Sequence, residues 1–174
     1  MQTTLKRIYA YKPCKNGFEE LLYKLGMPKL DDWRRLPSSE IDRKIDVLAI
    51  LNLNGFDDAL WSLRAVEGYD KELRLFAVWC GKRVQENISD IRSIEAINVA
   101  EKFANGKASK CDLMKALIDA EESSDGGWPA EKNPGKAAMT SAKWFSALAK
   151  SSEVERKIQE EKFRELLISC SSTV

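Results

Sequence analysis

Between Tyr69 and Asp119 the apolar residues recur at three- and four-residue steps, and that spacing predicts three consecutive helices joined by two short turns. The first is expected to start at Asp70, whose carboxylate can cap the orphan N–H groups and suits the positive end of the helix dipole. Leu73, Phe76, Ala77, Cys80 and Val84 fall on one face, and Leu75 and Trp79 widen it, so this helix should be packed on more than one side. Asp90 or Ser93 caps the second helix. Its inner stripe is Ile94, Ile97, Ala100, Phe103 and Ala104, and Glu95, Asn98, Glu101 and Lys102 face water. Asn105-Gly106 supplies a left-handed stop. Ser109 with Asp112 then forms a capping box, and Leu113, Ala116, Leu117 and Ala120 give the third helix its stripe.

The flanking chain follows the same period. Residues 1–16 read as an irregular basic arm carrying Lys6, Arg7, Lys12 and Lys15, with Leu5, Ile8, Tyr9 and Tyr11 available to pin it down. A short helix is predicted over 17–25, then a loop or single turn over 29–37 that holds Trp33, Arg34 and Arg35. Ser38 or Ser39 opens a helix to about Leu53. Asn54-Gly55 stops it, and Asp57 caps the next helix, to Val66. Two glycines and two prolines make 123–135 a flexible loop, and this loop carries Trp128. An alanine-rich helix over 136–150 and a final helix over 152–170 complete the chain. No segment alternates with a two-residue period long enough for a strand. The expected architecture is all-α: one domain, residues 1–174, of about seven or eight short helices, in which helix pairs can stack in chain order like a solenoid.

Composition narrows the chemistry. The 174 residues are enough for one domain that buries roughly 70% of its unfolded surface. A net charge of +1 gives no global field toward nucleic acid or membrane. No apolar run reaches the ~18 residues of a spanning helix, and the N-terminus lacks an apolar signal core, so a cytosolic protein is expected. The chain has no histidine, which removes Ser-His-Asp and Cys-His nucleophiles and histidine-containing zinc sites together. Cys14, Cys80, Cys111 and Cys170 are far apart, so they read as reduced thiols rather than as two disulfides, and with no CxxC pair they do not read as a zinc site. There is no GxGxxG, P-loop or HExxH motif, and no cofactor is expected.

Four groups of residues remain as candidates. Asp90, Arg92 and Glu95 cluster at a helix start, as a polar binding site or as a cap with a local ion pair. Asp57, Asp58, Glu67 and Asp70, with Glu72, make an acidic patch around two helix starts. The patch suits a basic partner, although first turns are acid-rich in any case. Trp33 and Trp128 sit in predicted loops, as interaction anchors or as aromatics folded back into the core. The basic arm with Tyr9, Tyr11, Trp33, Arg34 and Arg35 can touch phosphates, diluted by Glu19, Glu20, Asp31 and Asp32.

One stretch carries a resemblance. Ala77-x-x-Cys80, Asp90-x-Arg92, Ala96-Ile97, Asn105-Gly106-Lys107 and Asp112-Leu113, followed by the alanine-rich 137–149, resemble a group of small all-helical immunity proteins coded by bacteria and phages. Residues 59–80, ALWSLRAVEGYDKELRLFAVWC, are similar to phage proteins of unknown function. The resemblance implies a non-enzymatic protein that binds and sterically occludes another protein, a toxin or a host defence component, in the host cytosol if phage-coded. It supplies no catalytic residues, and its motif positions are turns, caps and packing sites. Two further readings come from the residues. One is a nucleic-acid-associated regulator using a basic face of Lys6, Arg7, Arg34, Arg35, Arg43 and Lys44. The other is a carboxylate-based enzyme with a pocket holding at least two acids. A homodimer through tryptophans and the long last helix is compatible with all three.

Overall fold

The computed structural model describes residues 1–122 and 128–171, and of Trp128 only the backbone. Among the described residues 74% are helical, with a single two-stranded sheet. Eleven α-helices occur among the described residues, more than the spacing predicts, because several are single turns. The chain forms two compact units, Met1–Glu67 with Leu167–Val174, and Gly68–Leu166.

The first unit opens with strand β1 (Gln2–Thr4) and helix α1 (Leu5–Ala10), where an irregular arm was expected. It continues with α2 (Lys15–Lys24), α3 (Leu30–Trp33), α4 (Ser38–Ile41), strand β2 (Lys44–Asp46), α5 (Val47–Asn54) and α6 (Phe56–Ser62). β1 pairs antiparallel with β2, Thr3 opposite Ile45. That pairing divides the helix expected from Ser38 to Leu53. Lys44–Asp46 takes the extended conformation, and helix restarts where the Asp46 carboxylate accepts from the Leu48 N–H at 2.9 Å. Three-residue strands are too short for a two-residue period to show in the sequence. Thr3 ties the sheet to the end of the unit, its hydroxyl donating to the Ala65 carbonyl at 2.6 Å. One sequence-based cap is not realised in this unit. Gly55, at φ +85°, rather than Asp57, precedes α6, and Asp57 lies in its first turn.

The second unit holds α7 (Asp70–Arg83), α8 (Ile91–Ala104), α9 (Lys110–Glu121), α10 (Pro134–Leu148) and most of α11 (Ser152–Ser171). The three central helices fall where the periodicity puts them. Asp70 is the first helical residue of α7 and makes no capping bond. Asp90 does cap α8, and Ser109 with Asp112 forms the full capping box of α9. Gly106, at φ +70°, ends α8. Its N–H donates to the Phe103 carbonyl, and the Lys107 N–H donates to the Lys102 carbonyl at 2.7 Å. α7 lies against both α8 and α10, and Phe76 meets Phe163 of α11 at 5.4 Å between ring centroids. Because α10 returns to α7, the unit is a bundle and not a stack in chain order.

Small residues let α7 and α10 approach closely. Ala77, Ala138, Ser141 and Ala142 are fully buried. A methyl group built on Gly81 would stand 2.9 Å from Cε2 of Phe145 and 2.8 Å from Cδ1 of Ile97. The Ile97 end can swing aside, but the fully buried Phe145 ring cannot. Alanine gains about 1 kcal/mol of helix propensity over glycine, against an overpacking cost of about 1–3 kcal/mol. Gly81→Ala is therefore expected to lose about 1 kcal/mol of stability in urea unfolding. An increase in stability would show that the ring has room to move.

Candidate functional site

The start of α8 and the end of α9 lie side by side, and one arginine holds them. Asp90 caps α8 by accepting from the Arg92 N–H at 2.9 Å. The same carboxylate grips the Arg92 guanidinium, with Nη2 to Oδ2 at 2.7 Å and Nε to Oδ1 at 3.1 Å. Arg92 then reaches α9: Nη2 donates to the Glu122 carbonyl at 3.3 Å, and Nη1 lies 3.5 Å from the Glu122 carboxylate. Hydrogen bonds from the Arg92 side chain and N–H hold the Asp90 carboxyl below the usual carboxylate range, and Asp90, Glu122 and Asp119 raise the Arg92 pKa.

Two large aliphatic side chains stand out beside this ion cluster. Ile91, next to the cap, is 72% exposed, and Ile118, one turn before Glu122, is 55% exposed. Glu95, one turn beyond Ile91 on the same side of α8, is also exposed. The surface is thus aliphatic at two points and mainly acidic around them, with its one arginine already committed to Asp90 and Glu122. A depressed carboxyl stabilises the fold above the ordinary carboxylate range, and this contribution is lost as pH falls through the lowered value. Asp112, held low by the Ser109 N–H and hydroxyl, behaves alike. Thermal unfolding followed from about pH 7 to about pH 3 should show falling stability, with a shallower fall in Asp90→Asn. Parallel profiles for the two proteins would show that the Asp90 pairing contributes nothing.

The other sequence candidates lie elsewhere. Trp33 is not a loop anchor: it is 3% exposed, at the end of α3, with its ring centroid 5.5 Å from that of Tyr9 and 5.3 Å from that of Phe18. Burying an indole against two rings outweighs leaving it in water, although its N–H has no partner among the described residues. Arg34 lies over the Tyr9 ring at 5.1 Å and donates to its hydroxyl, and Arg35 is exposed, 3.9 Å from Asp32. Lys6 pairs with Asp42 at 3.1 Å and Arg7 with Glu67, so two cations of the expected basic face are already matched by acids. The acidic residues are divided between the units. Asp57, Asp58 and Glu67 belong to the first, Asp70 and Glu72 to the second. Asp58 accepts from Asn54 at 3.0 Å, in a cleft of about 100 Å³ between α2, α5 and α6. A second cleft, about 300 Å³, lies along Leu75, Phe76 and Trp79 with Glu72, and a third, about 490 Å³, along Tyr9 and Phe18. None of these three holds two carboxylates. Of the flexible loop expected over 123–135, residues 123–127 and the Trp128 side chain lie outside the described residues, whereas 128–130 form a 3-10 turn and α10 already starts at Pro134.

Sequence reasoning passed over Ile91, Ile118, Asp119 and Glu122. Ile118 did carry a signal. It stands off the stripe of Leu113, Ala116, Leu117 and Ala120, an aliphatic residue on the polar side of its helix. Ile91 sat in a turn, where periodicity assigns no face. Among the described residues no helix is long and apolar enough to cross a membrane, and no three histidine, cysteine or acidic side chains gather as a metal-binding group. No protein-family model, curated protein or solved structure matches the chain.

Proposed function

We propose that this is a non-enzymatic protein-binding inhibitor of the immunity or phage anti-defence kind, and that the α8–α9 end is the surface that meets its partner. The observation that carries the reading is the exposure of Ile91 and Ile118 on either side of the Asp90–Arg92–Glu122 cluster. Two aliphatic side chains left in water beside a fixed ion cluster are poorly placed for folding and well placed for association. The acids Asp90, Glu95, Asp119 and Glu122 favour a partner with a basic surface around an apolar pocket, and they would steer its approach. Occupying that pocket is the mechanism: the inhibitor covers a functional face and performs no chemistry of its own. The resemblance of residues 73–120 to immunity proteins supports the same reading.

The test is retention of a partner by the tagged full chain from its native cytosol, in parallel with Ile91→Glu/Ile118→Glu. Both positions are exposed, so the double variant should keep its melting temperature, with a change within about 0.5 kcal/mol. A stoichiometric protein partner held by the wild type and lost by the variant supports the proposal. The same partner held equally by both would place the contact elsewhere. Recovery of nucleic acid alone, at low salt only, would overturn the protein-binding reading.

A further inference from the structure

The first unit contains a separate site with a different chemistry. The cleft of about 490 Å³ has Tyr9, Phe18 and Leu30 among its apolar walls, and every charged residue along it is a cation: Lys12, Lys15 and Arg34. A cleft of this size is in the range of small-molecule sites. The neighbouring cations Lys6 and Arg7 are matched by Asp42 and Glu67, whereas these three have little or no acid close by. Among the described residues Lys12 makes no ion pair, Lys15 stands 3.9 Å from Glu19, and Arg34 is held by Tyr9, through its ring and hydroxyl. Gathering like charges costs stability unless an anion joins them.

Two features of the backbone point the same way. Lys12 has φ +55°, the left-handed region that a lysine rarely adopts, and its N–H is fixed on the Tyr9 carbonyl at 2.9 Å. This residue ends α1, and the left-handed turn sets the Lys12 side chain at the cleft. The start of α2 is also open. Its N-cap, Cys14, makes no capping bond, its first turn holds no acid, and its first helical bond runs from the Phe18 N–H to the Cys14 carbonyl. The N–H groups of Lys15, Asn16 and Gly17 have no partner within the helix, and the Asp58 carboxylate, lying against Gly17 on the side of the neighbouring cleft, offsets part of their positive potential, so the two lysines carry the site.

We infer that this cleft binds a nucleoside phosphate, with the base against the wall of Tyr9, Phe18 and Leu30 and the phosphates on Lys12 and Lys15. Arg34, fixed beside Tyr9, supplies a third cation at the ring side. Apolar walls alone would suit any hydrophobe and three cations alone any anion. Their conjunction selects a ligand with both a flat ring and a phosphate chain. The site uses no residue of the α8–α9 surface, so it stands or falls independently of the inhibitor reading.

Titration calorimetry of the full chain with ADP tests the assignment, with adenosine, inorganic phosphate and a ten-base single-stranded DNA as comparisons. ADP is expected to bind one to one, with adenosine and phosphate each weaker by about tenfold or more. Lys12→Gly is the decisive variant, because glycine suits the left-handed backbone while the ammonium is removed. It should weaken ADP about tenfold with no loss of thermal stability, and Lys15→Ala should do the same. Absence of saturable binding at millimolar ADP would overturn the inference, as would unchanged affinity in both variants. Binding of the DNA more tightly than ADP would replace a free nucleotide with a single strand as the occupant.

Discussion

Arg74→Met is expected to cost about 3–5 kcal/mol, the largest single effect in the second unit. Arg74 is 3% exposed, and its guanidinium donates to three backbone carbonyls of the turn between α9 and α10. The distances are 2.7 Å to Pro129, 2.9 Å to Glu131 and 3.5 Å to Lys132. Its carbon also lies 5.4 Å from the centre of the Phe103 ring. That turn is itself packed: Pro129 and Ala130 are buried, and its short 3-10 segment touches α7, α8, α9 and α10. Burial works against the charge and pulls the Arg74 pKa down, while Asp70 and Glu131 act in the opposite sense. Methionine fills much of the same volume but leaves three carbonyls without their donor, and each buried unpaired group costs about 1–3 kcal/mol, partly recovered where water enters. For a chain of this length the loss corresponds to a fall in melting temperature of roughly 6–20 °C. The effect should be local first: amide exchange at the start of α10 should speed up before exchange in α5 or α6 does. Arg74→Lys should recover less than half of the loss, since one ammonium cannot reproduce the planar fork. A lysine variant as stable as the wild type would mean that charge, and not the divergent donors, holds the turn.

Arg74 also shows where the sequence stops being legible. Asp70, Arg74, Ala77 and Gly81 fall at helical spacing on α7, so an arginine lies on a face that turns inward at Ala77 and Gly81. Periodicity marks the face and gives no reason for a cation there. The reason is a set of carbonyls fifty-five and more residues away. The central helices and the caps at Asp90 and Ser109 were readable because they depend on residues within one turn of each other. The β1–β2 pairing was not, since it joins residues forty or more positions apart through strands of three residues. The α8–α9 surface divides the same way. Asp90, Arg92 and Glu95 are near in sequence and were recognisable as a cluster, whereas Glu122 and Ile118 join them through antiparallel helix packing. Trp33 was left open between anchor and core for a related reason. A tryptophan between two loop-like segments has no periodic neighbours, and only the fold brings Tyr9 and Phe18 to it.

Arg83→Met should destabilise the protein more than Glu155→Gln does, although both remove the same ion pair. The Arg83 guanidinium donates to the two Glu155 oxygens at 2.8 and 2.9 Å and lies 5.2 Å over the Trp79 ring, joining α7 to α11. The two side chains are unequally buried: Glu155 is 6% exposed and Arg83 33%. Without Arg83, a carboxylate remains in a nearly dry site beside the fully buried Cys80, whose thiol pKa burial pushes well up and Glu155 raises further. An uncompensated charge of that kind costs about 3–5 kcal/mol when fully buried, and about 2–4 kcal/mol is expected for Arg83→Met. Without the Glu155 charge, by contrast, Arg83 keeps its contact with Trp79 and can turn its third-exposed head to water, and glutamine still offers one acceptor. The expected loss for Glu155→Gln is about 1 kcal/mol after allowance for solvent screening. The double variant should recover part of the Arg83→Met deficit, because it removes the stranded charge along with its partner. Urea unfolding of the four proteins decides the matter. Equal losses in the two single variants, or strictly additive losses in the double, would show that the pair is solvated and that burial of Glu155 carries no penalty.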